Sequence, residues 1–463
     1  MTATILYDGH NLMMRNATGI GTYTRALAAT ASHLGFRTQL LMGGNVPISK
    51  KDPQLSEVLL FDALLEKRPP PRIRLERVIA KVIGKPFGIR PAHYASVGAV
   101  HDGSEKNLAG FEKTYVAPSV FELANSHFRR YRRCATLKLQ DPPALLHMTH
   151  PAPLMVKGGL NIYTIHDIVP LRLPGTTLDD KHHMLRLLRR LCERADHIVT
   201  VSEFSRQDII QFFGIAEDRI TNTYQSVRLP EELINKDEDQ VANEISSAFN
   251  VSVGEYYMFF GAIEPKKNVA RMVDAYAASG SRYPLLIVGG LGWQYERDVQ
   301  KIKDERFLSY NMSDAKITPQ RRVRRIPYLP LGQLISLIRG ARGVLFPSLY
   351  EGFGLPVLEA MMLGAPVITS NVSSLPEIAG DAALLVDPLD VDDIAKAIRA
   401  FDHDKDLRTE LTRRGVKRAA HFSPAAYERR IAALYKRLGV EGAGAPAPAV
   451  ASQPEAESAS LAR

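Results

Sequence analysis

The sequence predicts an α/β protein of doubly wound domains, and three observations carry that prediction. Short, wholly apolar runs recur along the chain, as central parallel strands require when both sheet faces are covered. Helix-patterned segments alternate with these runs, and glycine-containing turns join several of them. The chain has 463 residues, 45% hydrophobic and 24% charged, enough for two or more such domains.

Thr4–Tyr7 is the first strand, followed by Asp8-Gly9-His10-Asn11. Thr18-Gly19-Ile20-Gly21-Thr22 then enters a helix over Ala26–Leu34. A glycine turn here suits a phosphate, and it equally suits a tight βα turn with no ligand. Residues 45–120 read as a basic insertion. Arg68-Pro69-Pro70-Pro71-Arg72 breaks regular structure. Ile73–Ile83 follows with a helical apolar pattern. Arg68, Arg72, Arg74, Arg77, Lys81, Lys85 and Arg90 are set against one acid, Glu76. Such a helix suits the headgroups of an anionic bilayer, or packs its apolar side on its own domain. Arg129-Arg130-Tyr131-Arg132-Arg133 is either the rim of a site for an anionic acceptor or a solvated helix face.

Leu145–His147 and Ile162–Ile165 are the next buried strands. The second ends in His166-Asp167, and residues at the carboxyl end of such a strand point into the crevice where ligands bind. A strand-end cap by Asp167 is the other reading. Leu185–Arg194 is a helix and Ala195–Ser202 a strand, with Ser202 or Ser205 capping the next helix. The acidic stretch Pro230–Glu244 reads as the connection to the second half.

Tyr256–Phe260 runs into Gly261-Ala262-Ile263-Glu264-Pro265-Lys266-Lys267-Asn268. Leu285–Val288 meets Gly289-Gly290-Leu291-Gly292, which fits close approach to a nucleotide or a plain turn. Leu331–Arg339 is a helix and Gly343–Phe346 a strand. Phe346–Glu377 is the centre of the chain. Glu351-Gly352-Phe353-Gly354 forms a loop, Pro356 suits the first turn of a helix, and Gly364 ends it. The helix start turns the free N–H groups of Gly354 and Leu355 toward an anion, with phosphate the natural choice. Glu351 and Glu359 flank that point with seven residues between them. Carboxylates accept from vicinal hydroxyls, so one fits a sugar and the other a ribose. An ordinary βα unit with solvated glutamates fits the same spacing. Asp390-Val391-Asp392 reads as the start of a helix over Val391–Phe401. A last amphipathic helix ends at Leu438. The Ala/Pro/Ser-rich tail 441–463 is expected to be disordered.

YEGFGLPVLEAM, with SNVSSLPE and AGDAALLVDP after it, resembles the E-x7-E signature of the retaining GT-B glycosyltransferases of family 4. The resemblance covers most of Tyr256–Phe401 and is weaker before it. It implies two Rossmann-like domains facing across a cleft. The acceptor side would span 1–228 and the nucleotide-sugar side 229–420, with a helix over 421–440 crossing back. Glu351 would hold the donor sugar and Glu359 the ribose. Lys267 and the amides at Gly354 and Leu355 would hold the diphosphate. The family's arginine before that lysine is Ala262 here, a departure that puts Lys266 in its place, as a point charge instead of a fork. Gly19 and Gly21 resemble the glycine loop that faces the donor phosphates. His166 resembles the histidine near the reacting sugar, where a neutral imidazole could donate to a hydroxyl.

The implied reaction is retaining transfer of a hexose from a nucleotide diphosphate sugar to a glycan or lipid-linked saccharide, in surface polysaccharide synthesis. The look of Glu264–Asn268 and SNVSSLPE is mannosyltransferase-like and points to GDP-mannose as donor. No metal cofactor is expected, because fixed positive groups face the phosphates. The competing readings are a nucleotide-sugar epimerase on the same fold and a non-catalytic scaffold, which would be expected to lose the paired glutamates.

Other classes fit less well. Cys134 and Cys192 are too few for a disulfide framework or a cysteine metal site, which suits a reducing cytoplasm. MTATILYDGH has no secretory pattern, and no apolar run is long enough to span a membrane. The net charge of +9 suits nucleotide anions or an anionic membrane surface. Nucleic acid ranks last, with no zinc-finger or RRM pattern. A dehydrogenase needs G-x-G-x-x-G, whereas Gly19-Ile20-Gly21 is followed by Thr22-Tyr23-Thr24.

Overall fold

A computed structural model describes residues 2–12, 19–43, 52–55, 57–59, 84–94, 100, 110–313 and 316–443. The basic helix expected over Ile73–Ile83 and the tail beyond 443 lie outside them. The strands are β1 Thr4–Asp8, β2 Arg37–Met42, β3 Ala92–Tyr94, β4 Lys113–Val116, β5 Ala135–Leu137, β6 Leu145–Met148, β7 Leu154–Val156, β8 Leu160–Thr164 and β9 His197–Thr200. Then come β10 Ile220–Asn222, β11 Tyr257–Phe260, β12 Leu285–Val288, β13 Leu308–Ser313, β14 Lys316–Arg321, β15 Val323–Ile326, β16 Gly343–Phe346, β17 Val367–Ser370 and β18 Ala383–Val386.

Among the described residues the first sheet has the order β10-β9-β8-β6-β1-β2-β4-β3 and the second β15-β12-β11-β16-β17-β18. Both are parallel apart from the β3–β4 pair. The order reverses between β1 and β6 in the first sheet and between β11 and β16 in the second. Crevices outside the carboxyl ends of strands at such reversals are where open α/β sheets bind ligands.

Both faces of the first sheet are covered, which is why its strands read as apolar runs. Ile5 and Tyr7 face one core, and Leu6 faces the other with Leu146, Tyr163 and Ile198. The helix Pro424–Arg437 returns to the first sheet, placing the buried Tyr435 hydroxyl 3.1 Å from that of Tyr7. The acidic connection folds as helices Glu231–Ile234 and Glu238–Phe249, with Val241 and Ile245 buried.

The first helix differs from its expected bounds. It runs over Gly19–His33, so Gly19 and Gly21 lie in its first turn and not in a preceding turn. The reason is the apolar face: Tyr23, Leu27 and Ala31 recur every four residues and are all buried, which carries the helix back past Ala26.

Gly289 is explained by packing between loops. A Cβ there would lie 1.9 Å from the Gly261 carbonyl oxygen. Gly289→Ala is therefore expected to destabilise the second domain by about 1–3 kcal/mol, read as a lowered thermal midpoint.

Candidate active site

The site forms where the two reversals face each other. On the second sheet, β11 leads into the turn Pro265–Lys267 and β16 into the loop before the helix Leu355–Met362. Asn268 locks the two together: its side-chain amide donates to the carbonyls of Pro347 at 3.0 Å and Pro388 at 2.7 Å. Leu349 N–H donates to the Lys266 carbonyl at 2.7 Å. This clamp brings Lys267 Nζ to 2.6 Å from Glu351 Oε1, with Lys266 Nζ 3.5 Å from Oε2. The Lys267 ammonium also sits 4.8 Å from the centre of the Phe346 ring.

Glu351 is almost fully buried. Burial opposes its charge, but Lys266 and Lys267 together outweigh burial and hold its carboxyl below the usual range. Lys266 shows the converse. Burial disfavours the ammonium, while Glu351, Asp167 and Glu264 more than restore it, and its pKa is raised. Glu359 forms no ion pair among the described residues. It is half-buried on the helix, and burial, only partly offset by Lys267, pushes its carboxyl up to about 7.

Gly354 caps this helix at φ 102°, a left-handed conformation that suits glycine. Across the cleft stands the start of the helix Gly19–His33: a Cβ on Gly19 would lie 3.3 Å from Leu355 Cδ1. Two helix starts thus converge, and both present positive partial charge. Gly21 lies one residue pair further along the first helix, buried.

His166 follows β8 on the first domain. Its ring packs edge-on against Tyr23 at 4.9 Å, and its Nε2 lies 2.9 Å from the Thr149 carbonyl. The proton on Nε2 is spent there, which leaves Nδ1 as an acceptor. His166 is therefore placed to accept from a hydroxyl, not to donate as expected from sequence. Burial lowers its pKa and favours the neutral ring. Behind it, Tyr23 meets Thr164 at 3.0 Å, Thr164 meets His147 at 3.0 Å, and His147 meets Tyr435 at 2.8 Å. The last helix is in this way linked by hydrogen bonds to the ring beside His166.

The domains touch at several points. The Ser205 hydroxyl lies 3.0 Å from the His166 carbonyl and 3.2 Å from that of Gly352. A Cβ on Gly352 would lie 2.5 Å from the His166 carbonyl, so only glycine allows this approach. Glu377 accepts from Glu203 N–H at 2.7 Å and Phe204 N–H at 3.0 Å, at the start of the helix Glu203–Phe213. Ser202 is the cap of that helix, accepting from Ser205 N–H. Trp293 donates to the Thr176 carbonyl at 2.7 Å. Asp390 caps the helix Val391–His403 by accepting from Asp392 and Asp393 N–H.

Sequence reasoning missed the contribution of Glu377, the last residue of SNVSSLPE. It also assigned nothing to Asp8, His10 and His150, which gather beside His166. Their signal was position: Asp8 and His10 follow the first strand, and His150 follows the strand that pairs with it.

Comparison with known proteins gives the same architecture. The Glycosyl transferases group 1 profile matches residues 244–418 and the Glycosyltransferase Family 4 profile residues 90–228. O-antigen chain mannosyltransferase B of Escherichia coli is 35% identical over 273 residues, covering 57% of this chain and 66% of that protein. The serotype-specific mannosyltransferase WbdA of the same species is 30% identical over 268 residues, 56% of this chain and 31% of WbdA. The chain thus spans about two thirds of the first relative and about a third of the second. Among solved structures, sucrose-phosphate synthase from Thermosynechococcus elongatus superposes with a TM-score of 0.61 at 16% identity, over 94% of this chain and 99% of that one. Anabaena HepE, solved in complex with UDP-glucose, gives 0.61 at 14% identity, over 94% and 100%. With two facing parallel-sheet domains and both family profiles matched in order along its length, the chain belongs to the family 4, group 1 glycosyltransferases of GT-B fold.

Proposed function

We propose that the protein transfers a hexose, mannose in our reading, from a nucleotide diphosphate sugar to a hydroxyl of a glycan or lipid-linked saccharide, with retention at the anomeric carbon, in surface polysaccharide synthesis. The observation that supports this most is the Lys267–Glu351 pair beside the start of the helix Leu355–Met362, facing Gly19 across the cleft. Names of relatives that include O-antigen mannosyltransferases support the choice of sugar. GDP-mannose is the donor in our reading.

In this reading the diphosphate lies between the two helix starts. Lys267, Lys266 and the amides at Gly354 and Leu355 meet the charge that grows on the leaving phosphate. These groups supply the positive field without a metal ion. The diphosphate draws Lys267 from Glu351, and Glu351 is then free to accept from donor sugar hydroxyls. Glu359 accepts from the ribose diol. His166 accepts from a sugar hydroxyl at the junction of donor and acceptor. The leaving phosphate takes the acceptor proton on the face it vacates, which gives retention.

A thermal-shift screen over nucleotide sugars tests the donor, with GDP-mannose expected to raise the midpoint most. Proton NMR of the first product formed from an α-linked donor tests the stereochemistry; a β-linked product overturns retention. Conversion of the nucleotide sugar to an isomer without an acceptor would favour an epimerase.

Among the described residues no helix is long and apolar enough to cross a membrane. Our reading places the enzyme in the cytoplasm, peripheral on anionic lipid through the basic stretch 68–90. Phe87, 86% exposed within that stretch, supports a surface contact. Co-sedimentation with phosphatidylglycerol vesicles is expected. Unchanged pelleting after reversing Arg72, Arg74 and Arg77 dismisses the contact.

A further inference from the structure

A second cluster lies at the reversal of the first sheet and takes no part in holding the donor. Asp8 ends β1, and Thr149 and His150 follow β6, the neighbouring strand. Asp8 is fully buried. One of its carboxylate oxygens accepts from the Thr149 amide and, at 2.9 Å, from the Thr149 hydroxyl. The other lies 2.8 Å from His150 Nδ1. Burial works against the Asp8 charge, but His150 and the Thr149 donors outweigh it and hold the carboxyl below its usual range.

An ionised, buried carboxylate fixes the proton of His150 on Nδ1. Its Nε2 then keeps a lone pair, and no hydrogen bond to that atom exists among the described residues. The ring is partly exposed, at 15%. The His10 ring stacks on it at 4.8 Å with a 24° tilt, and Phe121 closes the side of His10 at 4.8 Å. Burial pushes His10 down to about 4, so it stays a neutral ring. Thr149 joins this cluster to the reacting centre, because its carbonyl is the partner of His166.

A structural pair would close both imidazole nitrogens on protein groups. His147, two residues before Thr149, does so, with Tyr435 on one nitrogen and Thr164 on the other. His150 leaves one nitrogen open, at the end of parallel strands and at a strand-order reversal.

The geometry points to Asp8, His150 and His10 as the seat of the acceptor sugar, with His150 Nε2 accepting from the incoming hydroxyl and the His10 ring bearing on the sugar's C–H face. His150 and His10 touch the acceptor; Asp8 is a positioning residue that sets the His150 tautomer. The inference rests on the glycosyl-transfer reading and names the acceptor half of that site.

The test uses the full chain and methyl α-D-mannopyranoside as the acceptor probe, followed by saturation-transfer NMR with and without GDP. Ring-proton signals are expected in the wild type. Loss of one hydrogen bond in His150→Ala is expected to weaken probe binding about fivefold. His10→Ala should also lose signal, while His10→Phe, which keeps a ring, retains it. Calorimetric GDP affinity should be unchanged in all three. For Asp8, ¹⁵N shifts of the His150 imidazole should report the Nδ1–H tautomer in the wild type and lose it in Asp8→Asn. The inference is overturned by no probe signal in the wild type, or by undiminished, wild-type signal in both His150→Ala and His10→Ala. An unmoved tautomer in Asp8→Asn removes Asp8 from it. A wild type that binds the probe but no nucleoside diphosphate supports the acceptor seat and sinks the donor reading.

Discussion

Lys267→Ala is expected to lower turnover at saturating donor by roughly a hundred- to a thousandfold. The ammonium is nearly buried, 2.6 Å from Glu351 and over the Phe346 ring, so little water screens it. A charge placed there acts most strongly on the leaving diphosphate, whose charge grows in the transition state. The loss should therefore appear in kcat more than in donor KM. Removing one partner of a buried pair also leaves the other charge poorly matched, at about 3–5 kcal/mol in fully buried cases. Here Lys266 remains 3.5 Å from Glu351 and softens that cost. Stability and chemistry are separated by Lys267→Ala combined with Glu351→Gln. The double variant should recover the thermal midpoint and stay inactive. Turnover within a few-fold of wild type in Lys267→Ala would remove the lysine from the chemistry.

Much of the second domain was legible because its punctuation is local. Gly354, Pro356 and Gly364 mark one helix, and the apolar runs before it are strands covered on both faces. The turn Pro265–Lys267 was visible for the same reason. The first domain was harder. Its helix starts at Gly19, where glycines signal a turn locally while the buried Tyr23-Leu27-Ala31 face carries the helix back through them. The Asp8–His150 pair spans 142 positions in sequence, and the Glu377–Glu203 contact spans 174. Contacts of that range are set by strand order and domain approach, neither of which is written in a local pattern. The direction of His166 was illegible for a related reason: it depends on a carbonyl from the adjacent strand's end.

Donor affinity is expected to fall as pH drops below neutrality, through Glu359. Its carboxyl is raised from 4.5 to about 7 by burial, against a partial offset from Lys267. In the free protein the folded state therefore holds this proton more tightly than the unfolded chain does. Stability from this group is largest below about 4.5 and is lost as pH rises toward 7. Donor binding runs the opposite way. The ribose diol donates two hydrogen bonds, which an ionised carboxylate accepts best. Binding then favours the deprotonated form, and a proton must leave below pH 7. Affinity for a nucleotide sugar should weaken by up to about tenfold per pH unit below 7, until the pKa of the bound state is reached. A nucleotide sugar is the right probe, because its diphosphate is esterified at both ends and does not titrate in this range. Glu359→Gln should bind more weakly at pH 8 and show a flattened profile between pH 5 and 8. Calorimetry across that range reads both. A wild-type slope that persists in Glu359→Gln assigns the titration to another group and takes Glu359 off the ribose.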